Sequence, residues 1–319
     1  MPMSLMRFNL IDPTLDPATM SDRYRAMLEM ADLADANGFF MCTFEEHHGA
    51  DNGWSPTPMM NAAMVLSRTT NLMASISALL LPLHDPIRVA EDLAVIDLVS
   101  GGRCTTILGL GYRPSEYALM GKDWDGRGAL MDESVDTLLK AWTGEPFEYR
   151  GETHRVTPVP VTKPHPMVMI GGTSKVAARR AARFGLPLSP AKHLPELEAY
   201  YQEKCAEYGT TGFCAMPGPD TQMTHVAEDP DKAWAELGHH FLHEATTYAS
   251  WQTPDIQSSM KSAATTVAEL RAEGIYQVVT PAEAVAQPAV IHHPLCGGIP
   301  IDAGWQSLQL YVDALENDL

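Results

Sequence analysis

The sequence has no closely spaced cysteine pair, no long apolar run and no surplus of basic charge. Its five cysteines, Cys42, Cys104, Cys205, Cys214 and Cys296, stand far apart. Neither a disulfide framework nor a zinc knuckle is expected from that spacing, and a reducing cytoplasm is the expected setting. No apolar stretch reaches the ~18 residues that a membrane span requires. The N-terminal segment is interrupted by Asp12 and Pro13 too early for a signal peptide, so a soluble chain is expected. A formal charge of −18 argues against a nucleic-acid partner, because such binding needs clustered Lys and Arg to neutralise phosphates. GLGYR lacks GxGxxG spacing, GGTSKVAA lacks the GxxxxGK[ST] loop, and no GxSxG elbow occurs. These gaps exclude the dinucleotide fingerprint, the NTPase loop and the serine-hydrolase elbow.

What is present is a chain of 319 residues, 45% hydrophobic, long enough for one α/β barrel of about 250 residues plus insertions. Short apolar runs alternate with amphipathic stretches, the pattern of parallel strands joined by helices. RFNLID reads as a strand and DRYRAMLEMADLADANG as a helix with Met27, Met30, Ala31 and Ala34 on one face, ending at Gly38. FFMCTFEEHH reads as the second strand, and SPTPMMNAAMVLSRT as a helix capped by Ser55 with Pro56 at its first position. LMASISALLLP and RCTTILGLG follow as strands three and four, around a helix opening at Asp85 and Pro86. GEPFEYRGETHRVTPVPVTKPHP has the character of a hairpin excursion, and the stretch up to about residue 287 is loosely patterned. The reading is a (β/α)8 TIM barrel over residues 1–319 as a single domain, with insertions after strands 4 and 7. An open doubly wound sheet is the alternative.

In a parallel barrel, chemistry gathers where strands end. The run Glu45, Glu46, His47, His48 sits at such a place. On a strand, adjacent residues point to opposite faces, so Glu46 and His48 share one side and Glu45 and His47 the other. Only two could reach one ion, no third ligand follows at a recognised spacing, and no metal site is expected. Hydrogen bonding to neighbouring loops accounts for most of the run. One histidine of the pair acting in acid/base chemistry is the sharper reading, since imidazole titrates near neutral pH. GGTSKVAARRAARFG turns from a strand directly into a helix, placing free N–H groups, Gly171, Gly172, Thr173 and Ser174 at a positive dipole end. That is a phosphate seat in physical terms, although ordinary capping produces the same pattern. Arg113 and Arg127 could add charge to the same anion.

Taken together, FEEHHG, ISALLLPLHDPIRVAEDLAVIDLVSGGRCTTILGLGY, DGRGALMDE and IGGTSKVAARRAARFGLP resemble the bacterial luciferase-like flavin monooxygenase family. The resemblance implies a (β/α)8 barrel, reduced FMN, molecular oxygen and oxygenation of a small organic molecule such as an aldehyde or ketone. It places His47 at the family's catalytic histidine, with Glu46 and His48 beside it. It sets Ser77–Ala78 at a non-proline cis peptide against the flavin ring, Arg127 at a phosphate-binding arginine, and Gly172, Thr173 and Ser174 at the phosphate loop. Where the light-emitting subunit of bacterial luciferase has a reactive cysteine and an arginine, this chain has Gly109 and Leu110, and light emission is not implied. A deazaflavin coenzyme doing hydride transfer is the closest alternative, and a non-catalytic flavin-binding subunit is another. A separate flavin reductase and a homodimer through the early barrel helices, near Met59 to Met64, are also expected.

Overall fold

The computed structural model describes residues 2–253 and 256–317. Its first half contains β1 (Met3–Phe8), α1 (Pro17–Ala36), β2 (Met41–Phe44), α2 (Pro58–Arg68), β3 (Met73–Leu80), α3 (Pro86–Ser100), β4 (Cys104–Gly109), α4 (Pro114–Leu119), α5 (Arg127–Ala141), β5 (Phe147–Tyr149) and β6 (Glu152–His154). Its second half contains β7 (Met167–Gly171), α6 (Lys175–Phe184), β8 (Leu188–Ser189), α7 (Pro195–Tyr208), β9 (Met223–Val226), α8 (Pro230–Trp251), α9 (Val267–Glu273), β10 (Tyr276–Val279), α10 (Pro281–Val285), β11 (Ala289–His292) and α11 (Ile301–Asn317). No helix among the described residues is long and apolar enough to cross a membrane.

Nine strands form one parallel sheet in the order β10-β9-β11-β1-β2-β3-β4-β7-β8. From β1 to β8 the strands lie side by side in chain order, and β11 returns to pair with β1. This is the strand order of an α/β barrel, with β8 and β10 as the two edges of the paired sheet. The hairpin β5–β6 stands apart as its own antiparallel pair, as the prolines and alternation suggested. One departure is the ninth strand: β10 emerges from the loosely patterned region and pairs with the outer side of β9. With α8 and α9 it encloses a second apolar cluster built on Trp234, Phe241, Leu270 and Tyr276.

Several helices start where an acidic oxygen precedes proline. Asp16, Asp85 and Asp229 accept from the backbone N–H of Thr19, Ile87 and Lys232 at the starts of α1, α3 and α8, and proline at the first position gives up no needed donor. Met27, Met30, Ala31 and Ala34 of α1 are fully buried, as their spacing required. Arg103 fastens the ends of two helices to the start of β4, donating to the carbonyls of Leu66, Thr69, Leu72 and Ser100. Several boundaries differ from the sequence reading: β1 runs Met3–Phe8, starting ahead of RFNLID, and α1 opens at Pro17, before DRYRAM. The second helix begins at Pro58 with Thr57 as cap, while Ser55 is buried and accepts from Asn61 Nδ2 at 2.8 Å. β2 stops at Phe44, so the Glu45–His48 run lies in the loop beyond it.

Under α11, His225 and His292 are buried, and each keeps its Nδ1 without a partner. Burial, with His293 adding to it, pushes His225 down to about 4, and burial drives His292 well below the usual histidine range. The unfolded chain takes up a proton at His225 near pH 6.5 while the folded chain refuses it until about 4, and His292 resists its proton well below 6.5. Stability is therefore expected to fall as pH drops from 6.5 toward 4, with His225 alone contributing about 3 kcal/mol by linkage. Thermal unfolding measured across that window checks it, and a flat profile would contradict the placement of these rings.

Candidate active site

The loop after β2 divides its four polar residues among three partners. Glu45 forms an ion pair with Arg7 of β1. Glu46 is buried and accepts from His48 Nε2 at 2.7 Å, His84 Nε2 at 2.6 Å and the Leu80 N–H at 2.6 Å. Burial works to raise its pKa, but these hydrogen bonds outweigh burial and hold it down to about 2. Glu46 and His48 do lie together, apart from Glu45 and His47, although the strand ends before them. His84 is the third donor that the sequence reading lacked, and the three ligand atoms lie within 4.8 Å of one another. Both imidazoles hydrogen-bond to the same carboxylate oxygen, which makes the group a hydrogen-bonded triad.

His47 turns the other way. Its Nδ1 lies 3.3 Å from Glu116 Oε1, and the same oxygen accepts from the His48 backbone N–H at 3.0 Å and from Arg113 Nη1 at 3.0 Å. Burial would raise the Glu116 pKa, but the bond to His47, the charge of Arg113 and the His48 N–H hold it below the ordinary carboxylate value. A carboxylate kept ionised at Nδ1 fixes which ring nitrogen carries the proton and leaves Nε2 facing Tyr112 Oη at 3.5 Å. Four rings surround the imidazole: Trp54 at 5.2 Å, Tyr112 at 6.0 Å, Tyr248 at 6.2 Å and Trp251 at 4.7 Å between centroids. Arg113 is held by Glu116 and the His48 carbonyl, with its guanidinium 4.1 Å from the centre of the Trp251 ring. Its charge is thus committed on the His47 side.

At the ends of the neighbouring strands the backbone opens. The Ser77–Ala78 peptide is cis, and the pairing of β3 with β4 shifts register between Ser77 and Leu79. A side chain at Gly109 would bring its Cβ to 2.9 Å from Ala78 Cβ, so β4 passes the bulge only as glycine. Gly172, with φ of 137°, makes the turn into α6, where a Cβ would meet Ala177 Cβ at 2.8 Å. Ser174 caps α6 by accepting from Ala177 N. Arg127 opens α5, stacks 3.7 Å over Trp124 and donates to the Trp124 carbonyl, while its Nε is buried without a partner. Arg180 of α6 reaches Gly128 O and Asp132, which ties the two helix starts together. Through Arg180, the helix that follows the Gly171–Ser174 turn is fastened to the helix that Arg127 opens.

Helix α8 supplies what the sequence reading missed. Glu244, midway along it and fully buried, accepts from Arg7 Nη1 at 2.8 Å, Asn9 Nδ2, Tyr276 Oη, His293 Nε2, Cys296 Sγ and the Gly297 N–H. Burial would push its pKa up, yet His293 and Arg7 drive it well below normal. Arg7 already balances the charge where Glu244, His293 and Cys296 converge. Glu116, Trp54, Tyr248 and Trp251 were also not singled out; the only hint was that the insertion after β4 and the loop after β2 hold aromatic residues beside charged ones.

The model of the luciferase-like monooxygenase family matches residues 3–292. The oxygenase component of flavin-dependent trigonelline monooxygenase from Acinetobacter baylyi is 26% identical over 175 residues, which is 52% of this chain and 48% of that one. The chain spans about half the length of the first curated relatives it matches. Among solved structures, monooxygenase RslO1 from Streptomyces bottropensis has a TM-score of 0.72 at 21% identity, covering 100% of this chain and 99% of that one. The oxygenating constituent of 3,6-diketocamphane monooxygenase from Pseudomonas putida, in complex with FMN, has a TM-score of 0.67 at 16% identity over 100% and 98%. An F420-dependent secondary alcohol dehydrogenase scores 0.59 at 17% identity over 98% of both chains. A parallel sheet closing back on β1, with polar residues gathered at its strand ends and a family match along nearly the whole chain, leads to one assignment: this chain belongs to the luciferase-like monooxygenase family.

Proposed function

We propose that the chain is the oxygenase of a two-component flavin system, using reduced FMN and O2 to oxygenate a small organic substrate. The observation that carries the reading is His47, fixed by Glu116 and enclosed by four rings, at the same barrel end as the Gly171–Ser174 turn and Arg127. The residues fit the cofactor. Gly172 keeps the turn free of a Cβ, α6 presents its N-terminal N–H groups to a phosphate, and the unpartnered Nε of Arg127 is a free donor beside it. Ser77, Ala78 and Gly109 lie at the adjoining ends of β3 and β4, where an isoalloxazine ring would rest against them. Bound reduced FMN supplies the electrons that activate oxygen. The chain positions the substrate, keeps water out with Trp54, Tyr112, Tyr248 and Trp251, and moves a proton at His47 Nε2.

A homodimer is part of the proposal. Met60 of α2 and Val95, Leu98 and Val99 of α3 are exposed on adjacent helices, a natural surface for a second copy. The reduced flavin would come from a separate reductase, as the name of the trigonelline relative, an oxygenase component, suggests. The setting would be the cytoplasm, where the free cysteines stay reduced. The second reading, a deazaflavin enzyme doing hydride transfer, is favoured by the F420-dependent structure of the same fold. The acidic balance of the chain weighs against that coenzyme's polyanionic tail. One preparation tests both: light scattering for its mass, then titration with FMN and with the deazaflavin, then oxygen uptake on adding reduced FMN. Binding of FMN with substrate-dependent oxygen uptake is expected. Tight binding of the deazaflavin and none of FMN would reverse the choice.

A further inference from the structure

A proton on the His47 ring has two nitrogens from which to leave, and the imidazole itself is only 7% exposed. The Nδ1 side is closed. Glu116 sits there, 1% exposed, and is kept ionised by bonds from His47, Arg113 and the His48 N–H. A proton delivered to that oxygen would have to displace those bonds. The way out therefore lies at Nε2.

The rings around His47 sort by chemistry. The indoles of Trp54 and Trp251 carry an N–H that only donates, so neither can accept a proton and pass another on. A phenol has both an O–H and free lone pairs and can do both. Among the described residues, Tyr112 Oη is the group in hydrogen-bond contact with Nε2, at 3.5 Å. Contacts of that length in a free enzyme tighten once a complex forms. Tyr112 follows β4 in the GLGYR segment, and its hydroxyl shares a hydrogen bond with that of Tyr248 on α8, the two rings meeting edge to face at 6.3 Å between centroids. Tyr248 is only half-buried, so the line of hydroxyls leads out of the enclosure.

We propose that Tyr112 is the proton relay between His47 and solvent; the proposal rests on the oxygenase reading above, in which His47 moves a proton in each turnover. The transfer balances. With His47 protonated at both nitrogens, the Nε2–H bond breaks and its proton joins Tyr112 Oη, as the proton of Tyr112 passes to Tyr248 Oη and that of Tyr248 to water. Each hydroxyl gains one proton and loses one, and the positive charge moves from the imidazole to water. Burial, with Tyr248, Glu45 and Glu116 beside it, holds the Tyr112 phenol well above its ordinary range. No phenolate persists between transfers, which suits a relay and not a proton store.

The test reads exchange of the His47 ring protons with solvent by nitrogen-15 NMR, on the full chain labelled at histidine, across the range near neutral pH where imidazole titrates. His47→Ala assigns the signal. Tyr112→Phe keeps the ring and loses the hydroxyl, and should slow exchange by about tenfold, the scale of one hydrogen bond lost from the transfer step. Tyr248→Phe should slow it as well, and gives the same reading from the next link if Tyr112→Phe does not fold. A merely loosened enclosure would speed exchange, so the sign separates a relay from a packing defect. Unchanged or faster exchange in these variants would overturn the proposal. Oxygen uptake on adding reduced FMN is read on the same native sample: its absence, with exchange slowed in the variants as expected, would count against the oxygenase reading and leave the proton path standing.

Discussion

Replacing His47 with alanine is expected to lower turnover by roughly 10²–10⁴-fold, the usual contribution of a positioned acid or base, with FMN affinity nearly unchanged. The split follows from geometry. His47 contacts Glu116, Tyr112 and the enclosing rings, whereas Gly172, Ser174 and Arg127 are held by other neighbours. Oxygen-uptake kinetics and an FMN titration on the same variant measure the two effects separately. A fully active variant would remove His47 from the mechanism. Glu116→Gln should fall between that variant and the native protein, because an amide can donate as readily as accept and no longer fixes the proton on one ring nitrogen.

The second large effect concerns stability. Glu244→Ala should cost about 3–5 kcal/mol, the range for breaking a buried ion pair from one side. Arg7 would keep only Glu45, and the donors of Asn9, Tyr276, His293 and Gly297 would lose a common acceptor. Urea unfolding of the two proteins at neutral pH reads the difference directly. Glu244→Gln preserves the shape and part of the bonding, so a smaller loss is expected from it. A loss below about 1 kcal/mol for the alanine variant, a value typical of surface contacts, would show that the network adds little to the fold.

The sequence made the alternation of strands and helices legible because each unit carries local signals. Asp85 before Pro86, the buried Met27, Met30, Ala31 and Ala34, and Gly101 closing α3 in the left-handed conformation all act within a few residues of themselves. β10 was not legible, since Tyr276–Val279 is short and sits among helical residues without a clear period. The same contrast holds at the site. The Glu45–His48 run stood out as a cluster, and the Gly172 turn as a glycine pair opening a helix. Glu116 did not, because it meets His47 across 69 positions of chain and arrives on a short helix inside a polar insertion. His84 completes the Glu46 triad from 38 positions away. Trp251 and Tyr248 end a helix whose surface pattern gives no sign that its last turns cover the barrel mouth.

Glu244, Tyr248 and Trp251 recur at four and three residues along α8, so they follow one another up nearly the same stripe of the helix. At 1.5 Å per residue, Tyr248 stands about 6 Å and Trp251 about 10 Å beyond the anchored carboxylate. The helix is in effect a lever with Glu244 as its fulcrum. A tilt of about 5° there would carry the Trp251 ring by about 1 Å, a displacement large enough to matter for aligning reacting atoms. Tyr276 of β10 and His293 and Cys296 of the loop after β11 hold that carboxylate, so the stripe that carries Tyr248 and Trp251 is anchored from those two places. Changes in those residues would reach the chemistry as altered aim, without touching the ring enclosure itself.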